Sequence, residues 1–529
     1  MGALVHAFML RGIDALACEV EVSLAQHGLP QVCVVGLPDA AVREAIERVR
    51  QAIEASGLEM PRHHVVVNLA PAGTRKEGSV YDLPIALGIL GASGALEARG
   101  PPAERLVSCV VSGELALDGR IRPVRGVVSA ALMARETGRG VLVPVANALE
   151  ASLVPNARVL GVASLAECVA VFRGIAGVSD ARREGIEQSL HSPAPNAGES
   201  CSSNSGTAES SACDRSSGVD LDFSMVRGQA AARRAMTIAA AGEHNVLLLG
   251  PPGCGKTMLA RALPGILPAL TPEQSLEVLR IGSCIGAPLP TAHAGSRSVR
   301  RPMRAPHHGA SATAILGGGP HARPGEITLA HHGILFLDEL PEFRRDVLEG
   351  LREPLESGEV AVARATGSVA WPARALLVAA MNPTRDGPQS RSGRLRADGL
   401  ERISGPVLDR IDLHVRLASL RPSDLAKGRS GPTSAQLRRQ VEVARARSFE
   451  RQGAIPNARL TGAELDRHCA FASGSHEALL RGIEELRLSA RAYDKLRRVA
   501  LTISDLDGAP VIGERAVHEA MQYRALGVG

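Results

Sequence analysis

The sequence HNVLLLGPPGCGKTMLARAL, residues 244–263, joins an apolar run to a glycine-rich turn and then to a helical pattern. The run VLLL is typical of a strand that is buried on both faces. Residues 250–257 fit the pattern G-x-x-x-x-G-K-[ST], in which backbone N–H groups and the following helix N-terminus surround phosphates. This stretch therefore predicts an α/β domain that binds a nucleoside triphosphate.

Within this motif each residue has an expected task. Lys256 is expected to reach the β- and γ-phosphates, and Thr257 to offer its hydroxyl to Mg²⁺. Lysine occurs only at positions 76, 256, 427 and 495, so a lysine at a motif position supports a functional reading of the motif. ATP and Mg²⁺ are the expected cofactors, and the expected nucleotide contacts are Gly250, Pro251, Pro252, Gly253, Cys254, Gly255, Lys256, Thr257 and Met258.

A second apolar strand pattern, ILFLDE at 334–339, ends in two carboxylates. Asp338 is expected beside the metal and Glu339 toward the attacking water, a pairing that predicts hydrolysis. A third strand, LLVAAMN at 376–382, ends in Asn382. This residue either orients the water or simply ends the strand before a proline.

Composition excludes several protein classes. Of 529 residues, 45% are hydrophobic and 22% charged, which is an ordinary globular balance. No apolar run reaches the ~18 residues of a membrane span, and the start lacks the features of a secretory signal, so we expect a cytoplasmic protein that does not enter membranes. The nine cysteines are widely spaced, which indicates reduced thiols.

The charge pattern limits how the chain could bind nucleic acid. Of 60 basic residues only four are lysine, which leaves 56 arginines, and the net charge is +5. There are only one tryptophan, three tyrosines and seven phenylalanines. A nucleic-acid surface here would therefore rely on arginine against phosphate, because few rings are available for stacking.

Patterning divides the chain into four segments. Residues 1–177 alternate strand and helix patterns, and residues 178–219 are rich in Ser, Ala, Gly and Asn, as in a flexible linker. Residues 220–425 contain the nucleotide motifs, and residues 426–529 carry helical periods. The expected fold class is α/β with a separate C-terminal helical domain.

Further stretches carry a family resemblance. Besides the P-loop, these are RAPHHGASATAILGGG at 304–319, RISGPVLDRIDLHV at 402–415, APAGTRKEGSVYDLPIALGIL at 70–90 and LSARAYDKLRRVALTISDL at 488–506. They resemble the magnesium-chelatase-like AAA+ ATPases, and more closely the YifB/ComM family. The resemblance implies a Lon-protease-like N-terminal domain, an AAA+ P-loop core with a parallel sheet and a C-terminal helical lid.

The same resemblance implies a function. It implies a homo-oligomeric ring, usually a hexamer, with ATP at the subunit interfaces. The ring would act on single-stranded or branched DNA, as a helicase or branch-migration factor in homologous recombination during natural transformation. The alternative is a chelatase-type motor that remodels a protein partner for metal insertion.

Three polar residues then take roles by resemblance. Asn382 matches sensor 1, and Arg491 in SARAYD matches the sensor 2 arginine of the lid. Arg410 in LDRID is the candidate arginine finger, which would act on the nucleotide of a neighbouring subunit, with Arg402 as the alternative. The guanidinium group of the finger or of the sensor 2 arginine would neutralise charge that develops on the γ-phosphate.

Two basic features are candidates for DNA contact. Residues 358–375, GEVAVARATGSVAWPARA, predict a hairpin, which in this ATPase clade points into the pore of the ring. Arg364 beside its turn is the first candidate, and Arg300, Arg301 and Arg304 form the second cluster. The alternative for both features is a set of solvated arginines.

Two departures from related proteins matter. Relatives commonly carry a cysteine cluster after sensor 1, whereas residues 382–399 read NPTRDGPQSRSGRLRADG, so no zinc is expected. Alignment with the Lon protease motif puts Val80 where the nucleophilic serine belongs and Ala130 where the lysine belongs. Ser79 is one position off and Lys76 is the only lysine of the domain, so no active protease is expected.

Overall fold

The computed structural model describes residues 2–25, 31–74, 76, 78–96, 107–173, 221–288, 299–319, 322–364, 367–382, 403–419, 431–486 and 488–524. The predicted linker, 178–219, lies outside these residues. Chain contacts divide the protein into two compact units. The first comprises residues 1–200 with 271–300, and the second comprises 201–270 with 301–529.

The first unit is a mixed sheet covered by helices. Its strands are β1 (Gly2–Arg11), β2 (Asp14–Ala25), β3 (Val32–Val35), β4 (His64–Ala70), β5 (Cys109–Val111), β6 (Glu114–Leu115), β7 (Ile121–Arg122), β8 (Gly140–Pro144) and β9 (Val159–Val162). Its helices are α1 (Ala40–Ala55), α2 (Asp82–Ala92), α3 (Val127–Glu136), α4 (Val145–Ser152), α5 (Leu165–Phe172) and α8 (Pro272–Ile285). Seven strands form one sheet in the order β3-β4-β2-β1-β5-β8-β9.

Helix α8 packs with the N-terminal residues, although the sequence analysis included it in the segment 220–425. The backbone N–H of Gly126 donates to the carbonyl oxygen of Ser283 at 3.0 Å. Arg280 donates to the carbonyl oxygen of Ile13 at 3.1 Å and to the hydroxyl of Ser129 at 3.3 Å. Periodicity predicts a helix here, but these remote partners determine the unit in which it packs.

The second unit is built on a parallel sheet. Its strands are β10 (Val246–Leu249), β11 (Met303–Arg304), β12 (Gly317–Gly318), β13 (Arg323–Pro324), β14 (Ile334–Leu337), β15 (Glu359–Arg364), β16 (Gly367–Pro372), β17 (Leu376–Met381) and β18 (Leu413–Arg416). Helices of the core are α6 (Ala230–Gly242), α7 (Lys256–Ala262), α9 (Ala312–Leu316), α10 (Glu326–Leu329), α11 (Arg345–Gly350), α12 (Arg352–Ser357) and α13 (Gly405–Leu408). The C-terminal helices are α14 (Ser434–Gln452), α15 (Gly462–His468), α16 (Ser475–Glu485), α17 (Ala490–Asp507) and α18 (Glu514–Gln522).

Five parallel strands lie in the order β11-β14-β17-β10-β18. Every residue of β10, β14 and β17 is buried, which explains their uniformly apolar sequences. Because parallel strands end on one edge, the residues that follow β10, β14 and β17 meet there. The predicted α/β class, the parallel sheet, the C-terminal helices and the hairpin β15–β16 are confirmed.

A buried polar network joins the C-terminal helices to the sheet. Asp412, directly before β18, pairs with Lys495 at 3.0 Å and with His244 at 3.2 Å. The other ring nitrogen of His244 lies 2.8 Å from the hydroxyl of Thr502. Burial opposes ionisation of Asp412, but Lys495 and His244 outweigh it and hold its pKa well below the usual range. Since Lys495 and Thr502 both belong to α17, this helix is fixed to the amino-terminal edge of the sheet.

Glu243 gives a pH-dependent contribution to stability. Its carboxylate pairs with Arg445 at 3.0 Å. Burial opposes ionisation, but Arg445, Arg459 and Arg301 outweigh it and lower the pKa of Glu243 from 4.5 to about 2. Ionised Glu243 therefore stabilises the fold above pH 4.5, and this contribution disappears as the pH falls from 4.5 toward 2.

We expect Glu243→Gln to lower the free energy of unfolding at pH 7 by on the order of 3 kcal/mol. Urea unfolding of both proteins from pH 7 downward measures the difference, which should narrow below about pH 4.5. A difference that stays constant across this range would contradict the assignment.

Candidate nucleotide site

The P-loop follows β10 and has the backbone that a phosphate-binding loop requires. Gly253 and Gly255 have φ of 77° and 98°, in the left-handed region that side chains disfavour. Gly255 is the N-cap of α7, so the first N–H groups of the helix face the turn. These amides and the helix dipole favour an anion at this end of the strand.

Lys256 is buried at the centre of the site. Its ammonium donates to the carbonyl oxygens of Gly250 at 2.7 Å and Pro251 at 3.0 Å. It also donates to Oδ1 of Asn382 at 2.8 Å. The two residues are 126 positions apart, and they meet because β10 and β17 are parallel neighbours. The ammonium is thus held beside the loop, where a triphosphate would replace the carbonyl contacts.

The candidate metal ligands also lie together. The hydroxyl of Thr257 donates to Oδ2 of Asp338 at 3.1 Å. A hydroxyl and a carboxylate beside a triphosphate are hard oxygen donors, which fit Mg²⁺. When bound, the ion would neutralise charge on the phosphates, with Thr257 and Asp338 on its protein side.

Glu339 follows Asp338 in a left-handed backbone conformation, with φ of 52°. Its side chain is half exposed, and Oε2 lies 3.4 Å from Nδ1 of His308. The carboxylate can therefore face solvent water while the imidazole orients it. His308 comes shortly after β11, the strand beside β14, and no motif of the sequence pointed to this contact.

Gln229 is a second residue that sequence reasoning missed. Its side-chain amide donates to the carbonyl oxygen of Cys254 at 3.3 Å and of Ala418 at 2.6 Å. It thereby holds the P-loop against the segment after β18. An isolated glutamine before a helix carries no local signal for this role.

The candidate finger Arg410 lies away from the P-loop of its own chain. It donates to the carbonyl oxygens of Arg352 at 3.2 Å and Pro406 at 2.8 Å, and it pairs with Glu356. Arg410 precedes β18, whereas the P-loop follows β10, its parallel neighbour. The two features therefore occupy opposite edges of the sheet. The alternative, Arg402, lies outside the described residues.

The candidate sensor 2 residue, Arg491, is exposed near the start of α17. It lies one turn before Lys495, which pairs with Asp412 at the amino-terminal end of β18. Arg491 thus belongs to the same edge of the sheet as Arg410. Among the described residues, no hydrogen bond or ion pair joins either arginine to the P-loop of its own chain.

The four candidate DNA contacts have different surroundings. Arg301 is held by three backbone carbonyls, those of Pro268 at 2.7 Å, His332 at 2.6 Å and Ala269 at 3.5 Å. Arg304 is paired with Glu326. Arg300 is half buried, and Arg364 ends β15 opposite Gly367, with its side chain outside the described part. The fold itself uses Arg301 and Arg304, which makes these two the weaker candidates for DNA contact.

The positions of a Ser–Lys dyad are occupied differently in the first unit. Ala130 is buried in α3, and Val80 lies in a short turn before α2. The hydroxyl of Ser79 donates to Glu114, and the ammonium of Lys76 donates to the carbonyl oxygen of Pro71. Ser79 and Lys76 thus have separate partners, as expected of residues that serve the fold.

Comparison with known proteins places this geometry in a family. A model described as magnesium chelatase, subunit ChlI, matches residues 222–425; models of subunit ChlI of Mg-chelatase and of the ChlI C-terminal part match residues 20–147 and 431–524. YifB of Salmonella typhimurium and competence protein ComM of Haemophilus influenzae are each 40% identical over 99% of this chain and 97% of their own. The chain belongs to the YifB/ComM family.

Members of this family are AAA+ ATPases of the magnesium-chelatase type, in agreement with the P-loop, the two carboxylates and Asn382. The magnesium-chelatase 38 kDa subunit of Cereibacter sphaeroides is 28% identical over 38% of this chain and 59% of that protein. In the part of the chain that the structure describes, every helix is too short or too polar to cross a membrane.

Proposed function

We propose that the protein is an ATP-driven ring motor that acts on DNA. The observation that carries this proposal is the placement of the hairpin β15–β16 in the chain. It lies between α12 and β17, and β17 leads directly to Asn382, the residue in contact with Lys256. A strand of six residues, about 20 Å long, therefore connects the hairpin to the nucleotide site. Changes at the γ-phosphate would move the hairpin.

DNA is the proposed substrate because of Arg364 and the relatives. Arg364 stands at the end of β15, where a guanidinium could contact a phosphate of a strand in the pore. The relative from Haemophilus influenzae is named a competence protein. We therefore assign this chain to branch migration or unwinding of DNA during recombination that follows uptake, in a hexameric ring.

In such a ring, Arg410 and Arg491 would act on a nucleotide that is bound by another subunit. Both arginines lie at the edge of the sheet away from their own P-loop. In our proposal they approach the nucleotide of the neighbouring subunit, with Arg410 as the finger. Thr257 and Asp338 hold Mg²⁺, Lys256 and Asn382 hold the γ-phosphate, and Glu339 takes the proton from water.

The cytoplasm is the proposed compartment. Among the described residues seven cysteines are free thiols, as is usual in a reducing environment. The alternative function, a chelatase-type motor that remodels a protein partner, draws on the likeness to the 38 kDa chelatase subunit. The two functions differ in whether DNA stimulates ATP turnover.

We expect Arg364→Ala to weaken the stimulation of ATP turnover by DNA. The DNA concentration that gives half-maximal stimulation should rise on the order of tenfold or more, because a ring loses this phosphate contact in every subunit. Turnover is measured with single-stranded, duplex and branched DNA at low salt. Arg481→Ala, which removes an exposed arginine from α16, is the matched control and should behave as the unaltered protein.

If none of these DNAs changes the rate of ATP turnover at low salt, the proposed DNA motor is refuted. The protein-remodelling alternative would then be favoured. If DNA stimulates the Arg364→Ala variant as strongly as the unaltered protein, Arg364 does not contact DNA.

A further inference from the structure

Two arginines lie side by side at the base of the hairpin β15–β16. Arg374 follows β16 by two residues, and Arg459 ends the short turn after α14. Both are exposed, and both approach Gly358, the residue directly before β15. A Cβ placed on Gly358 would lie 2.9 Å from Cγ of Arg374 and 3.1 Å from Nη1 of Arg459. The two side chains thus share one small surface.

This surface has an excess of positive charge. Glu243 is the carboxylate that acts on Arg459, but it is paired with Arg445 and also acts on Arg301. Partial burial lowers the pKa of Arg459, Glu243 raises it, and the neighbouring Arg374 lowers it. One carboxylate therefore faces three guanidinium groups, and a fourth, that of Arg374, lies beside Arg459.

Only two of these four groups are used by the fold. Arg445 donates twice to the carbonyl oxygen of Ala240, at 3.1 and 2.8 Å, besides its pairing with Glu243. Arg301 is held by backbone carbonyls. Among the described residues, the guanidinium groups of Arg374 and Arg459 have neither a hydrogen bond nor an ion pair. Two adjacent cations without an acceptor are an arrangement that an anion would stabilise.

We propose that Arg374 and Arg459 form a binding site for the phosphate backbone of a DNA strand. The inference rests on the proposed function and extends it, since it places a second contact on the same hairpin. Each strand of the hairpin has six residues, so about 20 Å separate Arg364 at the tip from the base. A nucleic-acid strand with a rise of about 3.4 Å per nucleotide would reach from one to the other in about six nucleotides.

The site reads no base. Guanidinium groups offer paired N–H donors to phosphate oxygens, and a contact to phosphate carries no sequence information. Arg374 also connects the site to the ATPase. Its backbone N–H donates to Nδ1 of His331 at 3.0 Å, and its carbonyl accepts from the N–H of His332 at 2.8 Å, directly before β14. Arg374 would therefore link a phosphate bound by its side chain to the residues that precede the strand carrying Asp338.

The test is the salt dependence of DNA binding by the full chain. The probe is a fluorescently labelled single strand, and binding is measured by anisotropy over a salt series with a non-hydrolysable ATP analogue. The double variant Arg374→Gln with Arg459→Gln should lose on the order of tenfold in affinity at low salt. The slope of log K against log salt should become shallower by about 1.4 for each subunit that contacts the strand, because each lost phosphate contact removes about 0.7 for a single strand.

Matched variants separate charge from structure. Arg374→Lys with Arg459→Lys keeps both charges, so its slope should stay near that of the unaltered protein; a merely structural role would not be rescued in this way. Arg481→Ala removes one exposed charge elsewhere and should leave slope and affinity unchanged. Thermal melting of each variant checks the fold. Competition by inorganic phosphate distinguishes a general anion site, which phosphate would empty, from one that needs the polymer.

The possible failures are distinguishable. If the unaltered chain does not bind DNA, both the proposed function and this site are refuted. If it binds DNA and the glutamine variant binds with the same affinity and slope, only this site is refuted.

Discussion

Glu339→Gln should bind ATP with nearly unchanged affinity and hydrolyse it about 10³-fold more slowly. The amide keeps the size and position of the carboxylate but cannot take a proton from water. Lys256, Thr257 and Asp338, which surround the phosphate and metal positions, remain in place. The loss should therefore appear in turnover and not in binding. Steady-state ATPase rates and equilibrium binding of a fluorescent ATP analogue measure the two quantities.

Glu342→Gln is the matched control for this change. Glu342 lies three residues further in the same turn and is exposed, so the same exchange there should leave turnover unchanged. Normal hydrolysis by Glu339→Gln would exclude Glu339 as the base. Loss of binding together with turnover would instead indicate that the carboxylate shapes the site.

Local chemistry explains why so much of the nucleotide site could be predicted. The residues of a P-loop are contiguous, so spacing alone assigns expected roles to Gly253, Gly255 and Lys256. Asp338 and Asn382 are distant in sequence, but each directly follows an apolar strand. Parallel strands end on a common edge, which brings such residues together without further information.

The features that sequence missed depend on remote partners. Arg301 belongs to a basic run that resembles a solvated surface, yet its guanidinium binds carbonyls from two other segments. Nothing local in the chain indicates that these carbonyls converge. The same holds for His308 beside Glu339, and for helix α8, whose unit is determined by contacts with Gly126 and Ile13.

For the arginines with proposed roles, the sequence left a different question open. Motif resemblance selected Arg410 from 56 arginines as a finger that acts on a neighbouring subunit, and Arg491 as the sensor 2 arginine, but it did not place either residue in the fold. The structure adds that both lie at the sheet edge opposite their own P-loop. Under the proposed function, a role of Arg410 in hydrolysis would therefore involve a second copy of the chain.

Arg410→Ala should reduce ATP turnover by 10³-fold or more, within the range of about 10³–10⁵ known for arginine fingers. The guanidinium would neutralise charge on the γ-phosphate of the neighbouring subunit, and alanine leaves that charge without a partner. In the free chain Arg410 is paired with Glu356, so it must exchange this contact when subunits assemble. Melting temperature and size-exclusion profile confirm that the variant folds and assembles.

Mixing of two inactive variants tests the action between subunits directly. Lys256→Ala lacks a working P-loop but keeps Arg410, whereas Arg410→Ala has the reverse defect. In rings with head-to-tail interfaces and equal random mixing, roughly one interface in four pairs an intact P-loop with an intact finger. Turnover should therefore recover toward roughly a quarter of the normal rate, a gain that misfolded variants could not produce. If two folded, assembled variants show no recovery, Arg410 is not the finger, and the same mixing with Arg402→Ala tests the alternative.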